Sequence, residues 1–130
     1  RTIVDAPCSC EGTVRKKPDA VESWSLDHVE GIAGVQKGVL GRSIEVTRSG
    51  GTVVYSTCTF APEENESVLQ HAIENYDCRL VEFDLPLRSD PGITEWADGT
   101  FDESMRRAKR IYPHQNDTGG FFCAKLEVAK

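Results

Sequence analysis

Two cysteines occupy positions at which α/β proteins usually carry their reactive side chains. Such sheets present working groups at the carboxyl ends of their strands. Cys8 follows an apolar segment at residues 2–7, and Cys58 follows the β-branched segment at residues 52–56. If these segments are parallel neighbouring strands, their axes lie about 4.8 Å apart. Both sulfurs then point into one crevice with the carboxylate of Asp5, and we predict a reaction centre there.

Two thiols and an acid suit addition chemistry on an electron-poor ring. A thiolate is a strong nucleophile, and an unperturbed cysteine is already ionised to a few per cent at neutral pH. Carbon 5 of cytosine accepts a methyl group poorly until a thiolate has added at carbon 6. A carboxyl group at the N3 edge of the base stabilises the charge that develops during this addition. A second thiol can assist the final expulsion of the first.

Alternating strand and helix patterns predict the scaffold around these cysteines. Strands are predicted at residues 2–7, 52–56, 79–85 and 121–128, and helices at about residues 27–40 and from Pro62 onwards. The order of strand, helix, strand, helix, strand, long loop and strand is typical of an α/β fold with helices flanking a mostly parallel sheet. Residues 86–102, rich in Pro, Gly and Asp, are predicted to form a surface excursion.

The two predicted helices are recognised by apolar residues at helical spacing. In the first helix Gln36 interrupts the apolar stripe, and four glycines either weaken the helix or mark close packing. In the second helix, acidic residues that follow Pro62 favour the N-terminal dipole: these are Glu63, Glu64 and Glu66. The apolar face of this helix is predicted to comprise Val68, Leu69, Ala72, Ile73 and Tyr76.

Composition restricts the class of protein and its partners. With 130 residues, 38% of them hydrophobic, the chain suits one compact domain, and no apolar run has the roughly 20 residues that span a membrane. A net charge of −6 argues against a non-specific nucleic-acid binder, although basic patches occur at residues 15–17 and 106–110. Five irregularly spaced cysteines favour a reducing, cytoplasmic setting. The sequence does not indicate an oligomeric state.

Three blocks of sequence resemble one enzyme family. They are Asp5-Ala6-Pro7-Cys8-Ser9 followed by Glu11-Gly12-Thr13, the segment Tyr55-Ser56-Thr57-Cys58-Thr59-Phe60-Ala61-Pro62-Glu63-Glu64-Asn65-Glu66, and a closing segment from Arg110 to Phe122. Together they span nearly the whole chain and resemble the RNA cytosine-C5 methyltransferases of the Nol1/Nop2/Sun type. The resemblance implies a Rossmann-like S-adenosylmethionine-dependent methyltransferase fold, of which residues 1–130 are the C-terminal half.

The resemblance also implies roles for individual residues. Cys58 corresponds to the nucleophile that attacks carbon 6, and Cys8 to a second cysteine that aids product release. Asp5 corresponds to an aspartate beside both the S-adenosylmethionine and the base, and Pro7 is predicted to lie at the same cofactor. The substrate is RNA, either tRNA or rRNA, and its predicted contacts are Arg15, Lys16, Arg110 and His114.

Two departures from the family pattern change the expectations. Cys10 stands where the family usually has glycine, which puts the loop geometry in doubt if that position needs a positive φ. The family's glycine-rich donor loop also has no counterpart here. Because the chain starts at Arg1 directly before an apolar segment, we expect a fragment. We further expect these 130 residues alone to be inactive and to bind S-adenosylmethionine weakly.

Other interpretations of the cysteines and of the whole chain remain open. Cys78 and Cys123 lie in or beside strand patterns and are predicted to be buried and structural. Cys8-x-Cys10 could hold a metal together with Cys58, Cys78 or a histidine. A metal site is not expected, because this spacing is shorter than in structural zinc sites and no second close pair exists. Trp96 either stacks on a base or anchors a loop. As an alternative to the enzyme, the chain could be a non-catalytic module that docks RNA or a partner protein.

Overall fold

One mixed β-sheet organises the computed structural model, which describes residues 1–10, 25–97 and 99–129. The elements in chain order are β1 (Thr2–Asp5), α1 (Leu26–Val46), β2 (Thr52–Thr57), α2 (Glu66–Asn75), β3 (Cys78–Val81), β4 (Asp90–Pro91), β5 (Glu95–Trp96), β6 (Gly99–Thr100), β7 (Lys109–Ile111), α3 (Pro113–Asn116) and β8 (Phe121–Val128). A 3-10 helix at Glu103–Arg107 precedes β7.

The direction of the strands brings the two cysteine loops to the same end of the sheet. β1 pairs in parallel with β2, and β8 pairs antiparallel with both β2 and β3. β1, β2 and β3 therefore share one direction, while β8 lies between β2 and β3 and runs the opposite way. β7 and β4 extend the sheet beyond β8, each antiparallel to its neighbour. The shared direction of β1, β2 and β3 agrees with the mostly parallel sheet predicted from the sequence. The antiparallel strand β8, inserted between β2 and β3, makes the whole sheet mixed.

Helix α1 is longer than its sequence pattern predicted. It begins after Ser25, whose hydroxyl accepts a hydrogen bond from the backbone N–H of His28 at 3.1 Å, and it ends at Val46. Gln36 is fully buried within its apolar face. Of the helix's glycines, Gly41 is closely packed, because a β-carbon there would lie 2.2 Å from the Tyr76 hydroxyl.

Helix α2 begins later than predicted. Residues 62–65 form turns, and the helix starts at Glu66. Its predicted apolar face is confirmed, since Val68, Leu69 and Ala72 are buried and the two remaining members pack against the same core. The strand predicted at residues 79–85 is the shorter β3, and the predicted surface excursion contains the small β5–β6 hairpin and the edge strand β4.

The core lies on one face of the sheet, beneath α1 and α2. Val53 and Tyr55 of β2 point to this face and pack with Leu40 of α1 and Leu69 of α2. The opposite face is uncovered by the described residues, and Ile3 of β1 exposes 79% of its surface there. In the described part of the chain, no helix has the length and hydropathy needed to cross a membrane.

Candidate functional site

The loops that follow β1 and β2 bring two thiols into contact. Asp5, at the end of β1, is paired in register with Ser56 of β2, so the following residues of both loops leave the same edge of the sheet. The Sγ atoms of Cys8 and Cys58 lie 3.0 Å apart. The backbone N–H of Cys58 also points to the Cys8 sulfur at 3.4 Å. The predicted juxtaposition of these two cysteines is confirmed.

Both thiols are held in their protonated form by their surroundings. Burial raises the pKa of Cys58, and hydrogen bonding to Cys8 and the charge on Cys8 raise it further. Burial also raises the pKa of Cys8, against the opposing effect of its hydrogen bonds with Cys58. The hydrogen bond between the two thiols lowers the pKa of Cys8 and raises the pKa of Cys58. Ionisation of one thiol therefore keeps the proton on the other. A positive charge or a base that approaches the pair would favour the thiolate.

A buried carboxylate ties the Cys8 loop to the Cys58 loop. Glu64 is fully buried and accepts hydrogen bonds from the backbone N–H and the hydroxyl of Ser9, at 2.7 and 2.6 Å. It also accepts bonds from the Thr59 hydroxyl at 3.3 Å and from Gln36 Nε2 at 3.1 Å. Because Ser9 adjoins Cys8 and Thr59 adjoins Cys58, this one side chain sets the separation of the two thiols.

The acidic segment after Pro62 has a different role from the predicted one. The sequence places Glu64 and Glu66 at a helix N-terminus, where they favour the dipole, but in the structure both are fully buried, as is Asn65 between them. Asn65 accepts a hydrogen bond from the Thr57 hydroxyl at 2.6 Å and donates one to the Thr59 carbonyl at 3.0 Å. These residues hold the turn that carries Cys58. The signal that could have revealed them is a run of polar residues directly after a reactive cysteine.

Arg110 is placed inside the fold, which corrects the prediction that it contacts RNA. Its Nε and Nη2 atoms each donate to one oxygen of Glu66 at 2.6 Å, and Nη1 donates to the Phe60 carbonyl at 2.9 Å. The side chain is only 5% exposed. Burial acts to lower its pKa, but the hydrogen bonds and charge of Glu66 outweigh burial and raise it. Arg110 therefore supports the Cys58 turn through Phe60.

His114 lies at the surface beside the Cys58 loop. It is exposed in the short helix α3, and its ring stacks on Tyr112 with a centroid separation of 5.8 Å. Tyr112 stacks in turn on Phe60, two residues after Cys58, at 5.5 Å. The three rings form a continuous aromatic stack from the Cys58 loop to the surface. The sequence indicated His114 as an RNA contact but neither of the other two rings.

The remaining predicted residues lie in different settings. Asp5 and Pro7 are both exposed, at the end of β1 and in the loop before Cys8. Arg15 and Lys16 lie outside the described residues. Trp96 is 48% exposed and donates from its indole nitrogen to Glu63 at 2.8 Å, so it anchors the β5–β6 hairpin to the segment after Pro62.

Cys10 brings a third sulfur to the pair. Its φ is +63°, the left-handed conformation that favours the glycine expected at this position. This backbone conformation directs the side chain back toward the crevice, where its sulfur lies 3.6 Å from Cys58 Sγ and 3.8 Å from Cys8 Sγ. The other two cysteines, Cys78 and Cys123, are half-buried and lie outside this cluster.

Comparison with known proteins supports one family over nearly the whole chain. The family described as 16S rRNA methyltransferase RsmB/F matches residues 1–127. The chain is 35% identical over 126 residues to the tRNA (cytosine(49)-C(5))-methyltransferase of Pyrococcus abyssi, which covers 97% of this chain and 40% of that protein. It is 46% identical over 129 residues to ribosomal RNA small subunit methyltransferase F of Aeromonas salmonicida, covering 95% and 25%. The chain thus spans less than half the length of these relatives.

Solved structures share the fold. A methyltransferase homolog protein from Pyrococcus horikoshii matches with a TM-score of 0.83 and 34% identity, over 97% of this chain and 38% of that one. NSun6 from Pyrococcus horikoshii with SFG matches with a TM-score of 0.80 and 35% identity, over 98% and 29%. These matches confirm the predicted α/β methyltransferase fold and the resemblance to RNA cytosine-C5 methyltransferases. The chain belongs to the family described as 16S rRNA methyltransferase RsmB/F.

Proposed function

We propose that the protein carrying this chain transfers a methyl group from S-adenosylmethionine to carbon 5 of a cytosine in RNA. The observation that carries the proposal is the 3.0 Å contact between Cys8 and Cys58 on loops that leave adjacent parallel strands. Relatives named for cytosine-C5 methylation of tRNA and for ribosomal RNA methylation match almost the full chain. The substrate is accordingly a tRNA or an rRNA.

In this proposal residues 1–130 are the C-terminal part of the catalytic domain. The chain spans 22% to 40% of the length of curated relatives, and one face of its sheet is uncovered by the described residues. Among the described strands β1 ends the sheet, so its outer edge is available to a further strand. We expect the donor-binding half to pack there, and the 130 residues alone to bind S-adenosylmethionine weakly. Micromolar affinity of the isolated chain in calorimetry would contradict this division.

The donor fits the described residues only in part. Asp5 and Pro7 are exposed where the free edge of β1 meets the cysteine loops, which suits contact with a ligand held between the two halves. A solved relative is named with SFG, an S-adenosylmethionine analogue. When bound, S-adenosylmethionine supplies the methyl group. Its sulfonium group also carries a positive charge, which would lower the pKa of a nearby thiol.

The proposed reaction assigns one step to each thiol. The Cys58 thiolate forms a bond to carbon 6 of the cytosine, and the electron pair displaced to carbon 5 takes up the methyl group. Asp5 meets the base edge and stabilises the charge that develops during the addition. A water molecule then takes up the carbon 5 proton, and the electron pair of that C–H bond re-forms the ring double bond and expels Cys58 as a thiolate. Cys8, 3.0 Å away, donates its proton to that leaving sulfur.

RNA approaches the two cysteines across the exposed surface beside the Cys58 loop. His114 ends an aromatic stack that begins at Phe60 beside the Cys58 loop, and exposed rings of this kind stack on unpaired bases. Arg15 and Lys16 remain proposed phosphate contacts. A cytosine within a helix must be turned out of its stack before a thiol can reach carbon 6. None of the five cysteines, all of which lie in the described part of the chain, forms a disulfide, which suits the proposed cytoplasmic location.

RNA that contains 5-fluorocytosine tests the reaction class and the nucleophile together. Fluorine replaces the proton that must leave carbon 5, so the bond between enzyme and RNA persists after methyl transfer. The full-length protein is incubated with S-adenosylmethionine and this RNA, and the linked peptide is identified by mass spectrometry. We expect the adduct on Cys58, its loss in Cys58→Ala, and its retention in the control variant Cys123→Ala.

The other outcomes contradict specific parts of the proposal. An adduct on Cys8 would reverse the roles of the two thiols. A folded protein that forms no adduct with any tRNA or rRNA would support the alternative of a non-catalytic docking module.

A further inference from the structure

Three sulfurs, not two, meet at the edge of the sheet. The Sγ separations are 3.0 Å for Cys8 and Cys58, 3.6 Å for Cys10 and Cys58, and 3.8 Å for Cys8 and Cys10. Within the described ranges, these three form a group of potential metal ligands whose ligand atoms all lie within 4.8 Å of one another. All three cysteines are half-buried.

The size of this triangle matches the ligand spacing of a metal bound by thiolates. A tetrahedral zinc site has Zn–S bonds of about 2.3 Å, which place neighbouring sulfurs about 3.8 Å apart. Two of the three edges already agree with this value to within 0.2 Å. Only the 3.0 Å edge between Cys8 and Cys58 must lengthen, by about 0.8 Å. Three protein ligands with an open fourth position also follow the usual pattern of zinc sites that retain a water.

The position of Cys10 is held by the backbone. Its φ of +63° turns the side chain back over Cys8, and its thiol approaches the Cys8 carbonyl oxygen at 3.3 Å. The neighbouring residue Ser9 is held by Glu64 through two hydrogen bonds. The third sulfur is thus pre-positioned, so metal binding requires little ordering of the loop. The short Cys-x-Cys spacing argued against a metal site in the sequence, but the structure brings the sulfur of Cys58 from the loop after β2.

We propose that Cys8, Cys10 and Cys58 form a binding site for one Zn²⁺ ion, and that the bound ion keeps both reactive thiols out of methyl transfer. Binding replaces up to three S–H protons by three metal–sulfur bonds, and the protons are released to solvent without any oxidation or reduction. Water completes the coordination. The binding site stands on geometry alone, whereas the effect on methyl transfer rests on the function proposed above.

Cobalt substitution tests the binding site directly. The reduced full-length protein is titrated with Co²⁺, and thiolate coordination is followed by its charge-transfer absorption in the near ultraviolet. Zn²⁺ is then added and should displace Co²⁺, because it binds such sites more tightly. We expect the wild-type protein and the control Cys123→Ser to bind alike. Loss of one ligand in Cys10→Gly should weaken binding by at least about 100-fold, since even indirect supporting contacts contribute 10- to 100-fold.

Glycine suits the test because it adopts the left-handed backbone at this position without strain. Equal Co²⁺ affinity in wild type and Cys10→Gly would overturn the proposal, as would equal weakening in Cys123→Ser.

The effect on methyl transfer is measured separately, as the ratio of activity with and without Zn²⁺ within each variant. A ratio well below one for wild type and near one for Cys10→Gly supports the inhibitory role, and equal ratios contradict it. If no variant methylates RNA even without metal, the proposed function fails. The cobalt titration still decides whether the metal site exists.

Discussion

Replacing Arg110 by methionine tests whether the Cys58 turn is held by a buried ion pair. In the native chain both Glu66 oxygens accept guanidinium hydrogen bonds at 2.6 Å, and the two side chains expose 5% and 0% of their surface. The Arg110→Met variant removes the positive partner and leaves the Glu66 carboxylate buried. Among the described residues, that carboxylate also accepts a hydrogen bond from the backbone N–H of Ile93 at 2.9 Å.

The expected loss of folding stability follows from the burial of the ion pair between Arg110 and Glu66. Removing one partner of a buried ion pair destabilises a protein by about 3–5 kcal/mol, because an uncompensated charge remains in the interior. The lost hydrogen bond to the Phe60 carbonyl is part of the same change. The chain offers a matched control in Arg79 and Glu127, which pair at 3.1 Å with side chains 66% and 43% exposed. An exposed pair contributes only about 0–1 kcal/mol.

Urea unfolding of the full-length protein, followed by circular dichroism, measures both variants. We expect Arg110→Met to lower the free energy of unfolding by about 3–5 kcal/mol and Arg79→Met by less than about 1 kcal/mol. The double variant Glu66→Leu/Arg110→Met should recover much of the loss, because no buried charge is left unpaired. Equal, small losses for the two single variants would refute the structural role of Arg110 and restore its earlier assignment to RNA contact.

Two further predictions concern packing and titration. Gly92→Ala should destabilise the fold by about 1–3 kcal/mol, since the new β-carbon would lie 2.2 Å from the Met105 carbonyl oxygen. Gly34→Ala, in open space on α1, should stabilise by about 0.5–1 kcal/mol, and the opposite order in thermal unfolding would contradict this packing. Burial and the charge of Asp77 raise the pKa of Cys78 from 9.0 to about 11. Its stabilising contribution is therefore complete below pH 9 and lost as pH rises through 11, and its alkylation rate, resolved by peptide mass spectrometry, should reach half-maximum near 11. A midpoint near 9 in the folded protein would show that Cys78 is not shielded.

The architecture of the site could be predicted from the sequence because it depends on short segments. The apolar segments before Cys8 and Cys58 have strand character, and the helical pattern between them requires a crossover that places the two strands in parallel. Parallel neighbours end at the same edge, so the contact between the two thiols follows from element order. The apolar face of α2 follows in the same way from its period of 3.6 residues.

Longer-range partners could not be predicted in this way. The acidic residues after Pro62 were assigned to a helix N-terminus because carboxylates interact favourably with its dipole, and the partners that bury two of them could not be identified. The partners are Ser9, 55 residues before Glu64, and Arg110, 44 residues after Glu66. The basic run around Arg110 was likewise assigned to the surface, although the strand pattern of β7 buries one of its members.

The sequence by itself determined the α/β class, the family and the pair of cysteines at the sheet edge, because periodicity and local motifs encode them. Only the tertiary structure decided three other features: the insertion of β8 between β2 and β3, the buried carboxylates that hold the cysteine loops, and the third sulfur of Cys10. Each depends on which distant segments meet and on a backbone conformation that residue type does not dictate. A buried charge, or a cysteine with a left-handed backbone, is stable only when contacts from distant segments hold it in place.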